Sequence, residues 1–143
     1  MPSNACIELI KASEGFRAVP YRDVAGNETV GYGHKVTPLD SIPYPWTEAM
    51  ATAVLCEDAQ KACQEMLGLV KVVLSQGQCD ALTDFVFNEG SGRLAGSTLL
   101  RLLDMGQYGT VPDQLAKWVY AAGVKQPGLE VRRQKEIDLW ETV

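Results

Sequence analysis

The chain has one histidine, no Cys-x-x-Cys pair and no excess of positive charge, and each shortage closes off a class of function. His34 and four scattered cysteines leave a metal ion without an obvious ligand set, so neither a metal nor an organic cofactor is expected. A net charge of −5 argues against nucleic acid as a partner. The same charge gives no help in approaching an anionic cell wall. No apolar run is long enough to span a bilayer, so stable membrane insertion is not expected. Residues 5–10 are too short for a signal h-region, and Glu8 interrupts them, so neither a signal peptide nor a signal-anchor is seen. No repeat, low-complexity tract or composition shift divides the 143 residues, which read as one domain, 1–143, with a real core.

The cysteines, Cys6, Cys56, Cys63 and Cys79, all fall on apolar helical patterns and read as buried free thiols. Cys56 and Cys63 share a predicted helix at a spacing of roughly 10 Å along its axis, too far for a disulfide. A bridge through Cys6 or Cys79 stays open.

What the chain does have is concentrated between Glu14 and His34. A helix starting near Ser3 or Asn4, either a good N-cap, ends at Glu14 before Gly15, a natural left-handed stop. Ile7, Ile10 and Glu14 share one face, which aims the carboxyl toward the buried stripe. The negative end of the helix dipole and partial burial beside Phe16 both disfavour its charged form. A carboxyl that keeps its proton is what a general acid requires, although a surface glutamate at a fraying end has the same local signature.

Eight residues separate Glu14 from Asp23, and five separate Asp23 from Thr29. Residues 19–22 read as a short edge strand containing Pro20, 23–27 as a turn and 28–30 as the return strand. Asp23 is expected to be solvated and ionised, with Arg22 as counter-charge; an Asx-turn role fits it equally. Two carboxyls in contrasting surroundings are a recurring acid/base pair. Gly31 and Gly33 weaken the return strand and mark close approach by another backbone or a ligand.

Downstream, residues 37–45 form an irregular connection with three prolines. Thr47 caps a long helix reaching about Leu67, with Gly68 as its stop and a stripe of Met50, Val54, Leu55, Ala59, Ala62, Cys63 and Met66. Ser75 to Gln78 is a capping box for a helix that buries Cys79, Leu82, Phe85 and Val86 and ends at 88–90. A short apolar helix over 98–105 stops at Gly106. Thr110 caps another, with Leu115, Ala116, Trp118 and Val119 on its core side. Residues 123–128 read as a loop, and the last helix buries Leu129, Ile137 and Trp140. The fold class is α+β, predominantly α.

The spacing Glu14-x8-Asp23-x5-Thr29, with Ser13-Glu14-Gly15-Phe16 at one end and Thr29-Val30-Gly31-Tyr32-Gly33-His34 at the other, resembles the phage-type lysozymes, the glycoside hydrolase family 24 endolysins. Three later segments carry the same resemblance in the same order: Asp80-Ala81-Leu82 with Phe85 to Gly90, Ser97 to Arg101, and Gly128-Leu129 with Arg132, Arg133 and Glu136. It implies a lysozyme-like fold, with a small antiparallel sheet lobe over about 15–46 and a helical lobe over about 68–143 plus the N-terminal helix. A long hinge helix joins them, and a cleft for several sugars lies between. It further implies a muramidase acting on peptidoglycan, with Glu14 as acid, Asp23 as base on an attacking water and Thr29 holding that water. Inversion would set the two carboxyls about 6.5–9.5 Å apart. Among substrate-binding candidates, Tyr32 beside Gly31 is a sugar platform, Asn88 faces the cleft or caps its helix, and Arg132 or Arg133 approaches the acid. An arginine too close would oppose that acid's role. His34 pairs structurally with Asp58 or Glu57 instead of serving in catalysis. A monomer that waits in the host cytoplasm and depends on a holin completes what the resemblance implies. The competing readings are a lytic transglycosylase, a non-catalytic wall-binding homologue and, more weakly, a chitinase.

Overall fold

The computed structural model describes residues 1–142 and has two apolar cores strung along one long helix. The first helix, α1 (Asn4–Glu14), begins after Ser3, whose hydroxyl donates to Asp80 instead of capping its own helix. A three-stranded antiparallel sheet follows in the order β1 (Arg17–Arg22), β2 (Glu28–Gly31), β3 (His34–Lys35). Tyr21 faces Thr29 and Arg22 faces Glu28, while the register slips between Arg17 and Tyr21. Pro20, which has no N–H for the ladder, lies in that irregular stretch. Two-residue β3 is too short to leave an alternating pattern, and the sequence gives no sign of it.

The long helix, α2 (Glu48–Leu69), is capped as expected: the Thr47 hydroxyl accepts from the Met50 amide at 3.2 Å. It runs through Gly68 and ends at extended Val70, since one interior glycine costs only about 1 kcal/mol against alanine. Its N-terminal half contributes Ala51, Leu55 and Ala59 to the sheet core, with Val30 and Trp46. Its C-terminal half contributes Ala62, Cys63 and Met66 to the helical core. Met50 and Val54 are only half-buried at the margin. Cys56 lies off the stripe and is exposed, which corrects the expectation of four buried thiols; all four are free, and Cys79 is half-buried.

The helical core forms around α3 (Gln76–Glu89), opened by the expected Ser75–Gln78 capping box. Helices α4 (Ser91–Ala95) and α5 (Thr98–Asp104), a 3-10 turn (Tyr108–Thr110) and α6 (Val111–Leu115) wrap it. Thr110 does not cap α6, because its hydroxyl donates to the Gln107 carbonyl at 2.7 Å. Trp118 lies beyond α6 and meets Phe85 edge-on at 5.2 Å. Where a loop was expected, β4 (Tyr120–Ala121) and β5 (Val124–Lys125) pair across a turn of Ala122 and Gly123, both at positive φ. The last helix, α7 (Pro127–Trp140), buries Arg132, Arg133, Glu136 and Trp140. Leu129 and Ile137 are only half-buried, so the inward face of α7 is largely ionic. Among the described residues, no helix is long and apolar enough to cross a membrane.

Candidate active site

Glu14 stands at the last position of α1, where Gly15 turns the chain away at φ 72°. Its side chain is 21% exposed. The carboxyl rests on Gly33: a Cβ on that glycine would sit 2.8 Å from Cδ and Oε1 of Glu14. The close approach expected at Gly33 is therefore made by the acid itself. At Gly31 it is made by the Trp46 ring and the Ala51 methyl, at 3.1 and 3.2 Å, so this glycine makes room for the sheet core.

On its other side Glu14 meets Arg132. The guanidinium Nη1 donates to Glu14 Oε2 at 2.6 Å, while Nη2 and Nε donate to the two Asp84 oxygens at 2.8 and 3.0 Å. Arg132, not Arg133, is the arginine that reaches the acid, so the carboxyl expected to be partly buried beside Phe16 also faces a guanidinium. Burial works against the Arg132 charge, but Asp84 and then Glu14 raise its pKa well beyond the ordinary arginine value.

Asp23 lies in a different setting. Its Oδ1 accepts from the Ala25 and Asn27 amides at 3.0 and 2.8 Å, which makes it an Asx-turn residue. The Asn27 amide foremost, with Lys35 behind it, holds its carboxyl below the usual aspartate range. Lys35 approaches Oδ2 at 3.4 Å, whereas Arg22 donates to the Gly26 carbonyl, so the counter-charge is Lys35 and not the expected Arg22. The Asp23 side chain is 25% exposed. Thr29 is buried on β2 and donates its hydroxyl hydrogen to the Asn27 carbonyl at 3.0 Å. With that hydrogen committed, the hydroxyl oxygen is left as an acceptor.

The family profile described as Phage lysozyme matches residues 11–136. The chain belongs to the phage lysozyme family. It is 39% identical over 127 residues to the SAR-endolysin of Escherichia phage Mu, covering 89% of this chain and 73% of that protein. It is 38% identical over 138 residues to the endolysin of Acyrthosiphon pisum secondary endosymbiont phage 1, covering 94% and 93% of the two. The solved muramidase domain of SpmX from Asticaccaulis excentricus superposes with a TM-score of 0.88 at 29% identity, covering 100% of this chain and 99% of that one.

Other residues singled out in the sequence are accounted for by packing. Tyr32 is buried against Phe16, ring centroids 5.6 Å apart, with the Lys11 ammonium 5.4 Å above it. That ring is core and offers no open face to a sugar. Asn88 accepts from Arg133 Nη2 at 2.5 Å, so it neither caps α3 nor stands free. Arg133 also reaches Glu89 and lies over the Phe85 ring. His34 bonds Asp58 through Nδ1 at 2.7 Å, as expected, and Asp40 through Nε2 at 3.0 Å, which was not.

Asp84 was not singled out from the sequence, and Glu136 entered only as part of a family segment with no role given. Both left a signal: Asp84 interrupts the apolar run between Leu82 and Phe85, and an acid on a buried face needs a cationic or proton-donating partner. Arg132 and Glu136, four apart on α7, supply those partners.

Proposed function

We propose that this chain is an endolysin that hydrolyses the β-1,4 bond between N-acetylmuramic acid and N-acetylglucosamine in bacterial peptidoglycan, lysing the host. Membership of the phage lysozyme family and the endolysin relatives support the lysozyme-type hydrolase reading. The observation that carries the residue roles is the contrast between Glu14, inward-facing and touched by one buried arginine, and Asp23, an ionised hairpin carboxylate. Glu14 protonates the leaving glycosidic oxygen. Asp23 takes the proton of a water attacking from the opposite face, and Thr29 accepts a hydrogen bond from that water, fixing its lone pair toward the sugar. This is an inverting scheme, with the carboxyls about 6.5–9.5 Å apart in the working enzyme. The chain acts as a single catalytic domain and a monomer. It waits in the host cytoplasm and meets the wall through a holin lesion.

The deciding test is mass spectrometry of fragments released from purified peptidoglycan, with Glu14→Gln as control. Hydrated reducing-end muropeptides from the wild type, absent with Glu14→Gln, are the expected result. Anhydro-muropeptides would make the protein a transglycosylase and remove the roles of Asp23 and Thr29. Wall binding with no fragments would make it a binding homologue.

A further inference from the structure

Behind Glu14 the charges are densely packed. The Arg132 and Arg133 side chains are 6% and 1% exposed, those of Asp84 and Glu136 are fully buried, and Glu89 is 8% exposed. Arg132 turns its Nε–Nη2 edge to Asp84 and has only Nη1 left for Glu14. Arg133 donates to Glu89 at 3.3 Å and to Asn88. Its Nε lies 3.0 Å from Glu136 but is misaligned for a hydrogen bond, so neither oxygen of Glu136 receives a donor. A fully buried carboxylate with no donor is untenable. Glu136 therefore holds a proton and shares it with Asp84; burial first, and then Asp84, push its carboxyl well above the ordinary range. Burial works the same way on Asp84, but Arg132 outweighs it and keeps that carboxyl ionised. The buried charges then close in pairs, Arg132 with Asp84 and Arg133 with Glu89, while Glu136 is neutral; Glu89 is also reached at 2.9 Å by Arg93, whose side chain is 63% exposed and solvated. Among the buried side chains the charge balances without Glu14.

We propose that Asp84 is a positioning residue for the hydrolysis: by gripping Arg132 edge-on and cancelling its charge, it leaves Glu14 free to carry the proton that the leaving oxygen must receive. The proposal rests on the muramidase reading above. Were Asp84 uncharged, protonating Glu14 would strand a buried guanidinium without an anion, a heavily penalised state. With Asp84 in place, Glu14 can cycle. It gives its proton to the glycosidic oxygen as the C–O bond breaks and is left as a carboxylate facing Arg132 Nη1. The attacking water forms the new C–O bond and loses its proton to Asp23, and solvent resets both acids. The groups that face Glu14 from neighbouring elements are Arg132 on α7 and Tyr21 on β1; Asp84 is faced by Arg132, Arg133 and Glu136 on α7 and by Cys6 on α1. Burial first, then Glu14 for Tyr21 and Asp84 for Cys6, push both of these acids upward, so neither brings a competing negative charge near neutral pH.

The experiment is the pH dependence of kcat and KM for Asp84→Asn on soluble peptidoglycan fragments, with circular dichroism to confirm folding. The alkaline limb of kcat should move down by at least about one pH unit, lowering neutral-pH turnover about tenfold and recovering on acidification, with KM little changed. A folded Asp84→Asn that is merely less heat-stable, with its limb where the wild type has it, overturns the proposal. If Asp84→Asn does not fold, the double variant Asp84→Asn/Arg132→Gln, which removes both partners, decides. Its limb should stay within about half a pH unit of wild type, and a displacement of about a unit or more overturns charge cancellation. Muropeptide release that persists in Glu14→Gln would sink the muramidase reading itself; an unmoved limb in an active Asp84→Asn sinks only the role given to Asp84.

Discussion

Gly33 and the Glu14 carboxyl occupy adjoining space so tightly that no side chain at 33 can coexist with the acid where it stands. Gly33 is also at φ +75°, where an L-residue is strained. Gly33→Ala should therefore do two things at once. Displacing the acid by a fraction of an ångström to an ångström should reduce muropeptide release on the order of 10²-fold. The backbone strain should lower stability by about 1–2 kcal/mol, read by thermal melts. Full turnover with only a lowered melting temperature would show that the acid works equally well when shifted.

Thr29 spends its one hydroxyl hydrogen on the Asn27 carbonyl. If its oxygen then orients the attacking water, Thr29→Ala should cut kcat about 10²-fold while KM stays near wild type. Thr29→Ser, which keeps the hydroxyl, should retain most of the rate. A loss confined to KM would remove the water-positioning role.

His34 has a carboxylate at each ring nitrogen, Asp58 on α2 and Asp40 in the connection after β3. A neutral imidazole has one N–H and can donate to only one of them. Burial works against the charge, but the bonds to Asp58 and Asp40 outweigh it and raise the His34 pKa above the ordinary value. A raised folded-state value means that the clamp contributes fully below the unfolded imidazole value, about 6.5, and is lost as pH climbs through the higher folded value. Urea melts should thus show wild-type stability falling on the alkaline side of about pH 6.5, by on the order of 1–2 kcal/mol. His34→Asn should start lower and lack that slope; the same slope in the variant would assign it to another group.

Glu136 should behave as a neutral residue. Its raised carboxyl keeps the proton in the folded chain, while the unfolded chain releases it above about pH 4.3. Stability tied to this group is therefore greatest in acid and declines as pH rises. Glu136→Gln removes that decline, so its melting temperature relative to wild type should rise from acid to neutral pH. A variant that instead loses several kcal/mol at neutral pH would mean that Glu136 is a needed anion there.

The helix-to-hairpin junction was legible because its chemistry is local. A helix stop, a turn and a return strand hold Glu14, Asp23 and Thr29 within sixteen residues, and turn chemistry of that kind is written in consecutive letters. His34 with Asp58 was legible only through the family resemblance. The ionic face of α7 was not legible, because an amphipathic reading assigns the inward side to Leu129 and Ile137. Only pairing with Asp84 and Glu89 from another helix makes burying Arg132 and Arg133 tolerable. The β4–β5 hairpin escaped for a different reason: its turn is Ala-Gly, and Ala122 adopts φ 51° without the asparagine or glycine that usually announces it.

Trp46 is the one indole inside the sheet core; Trp118 and Trp140 belong to the helical one. It is 2% exposed, its Nε1 is tied to the Ile42 carbonyl at 3.2 Å, and its amide donates to Ala18 at 2.8 Å. The protein thus carries three indole reporters, one in the sheet core and two in the helical one. Emission from Trp46 alone would follow the half that carries Asp23 and Thr29, independently of the half that anchors Arg132.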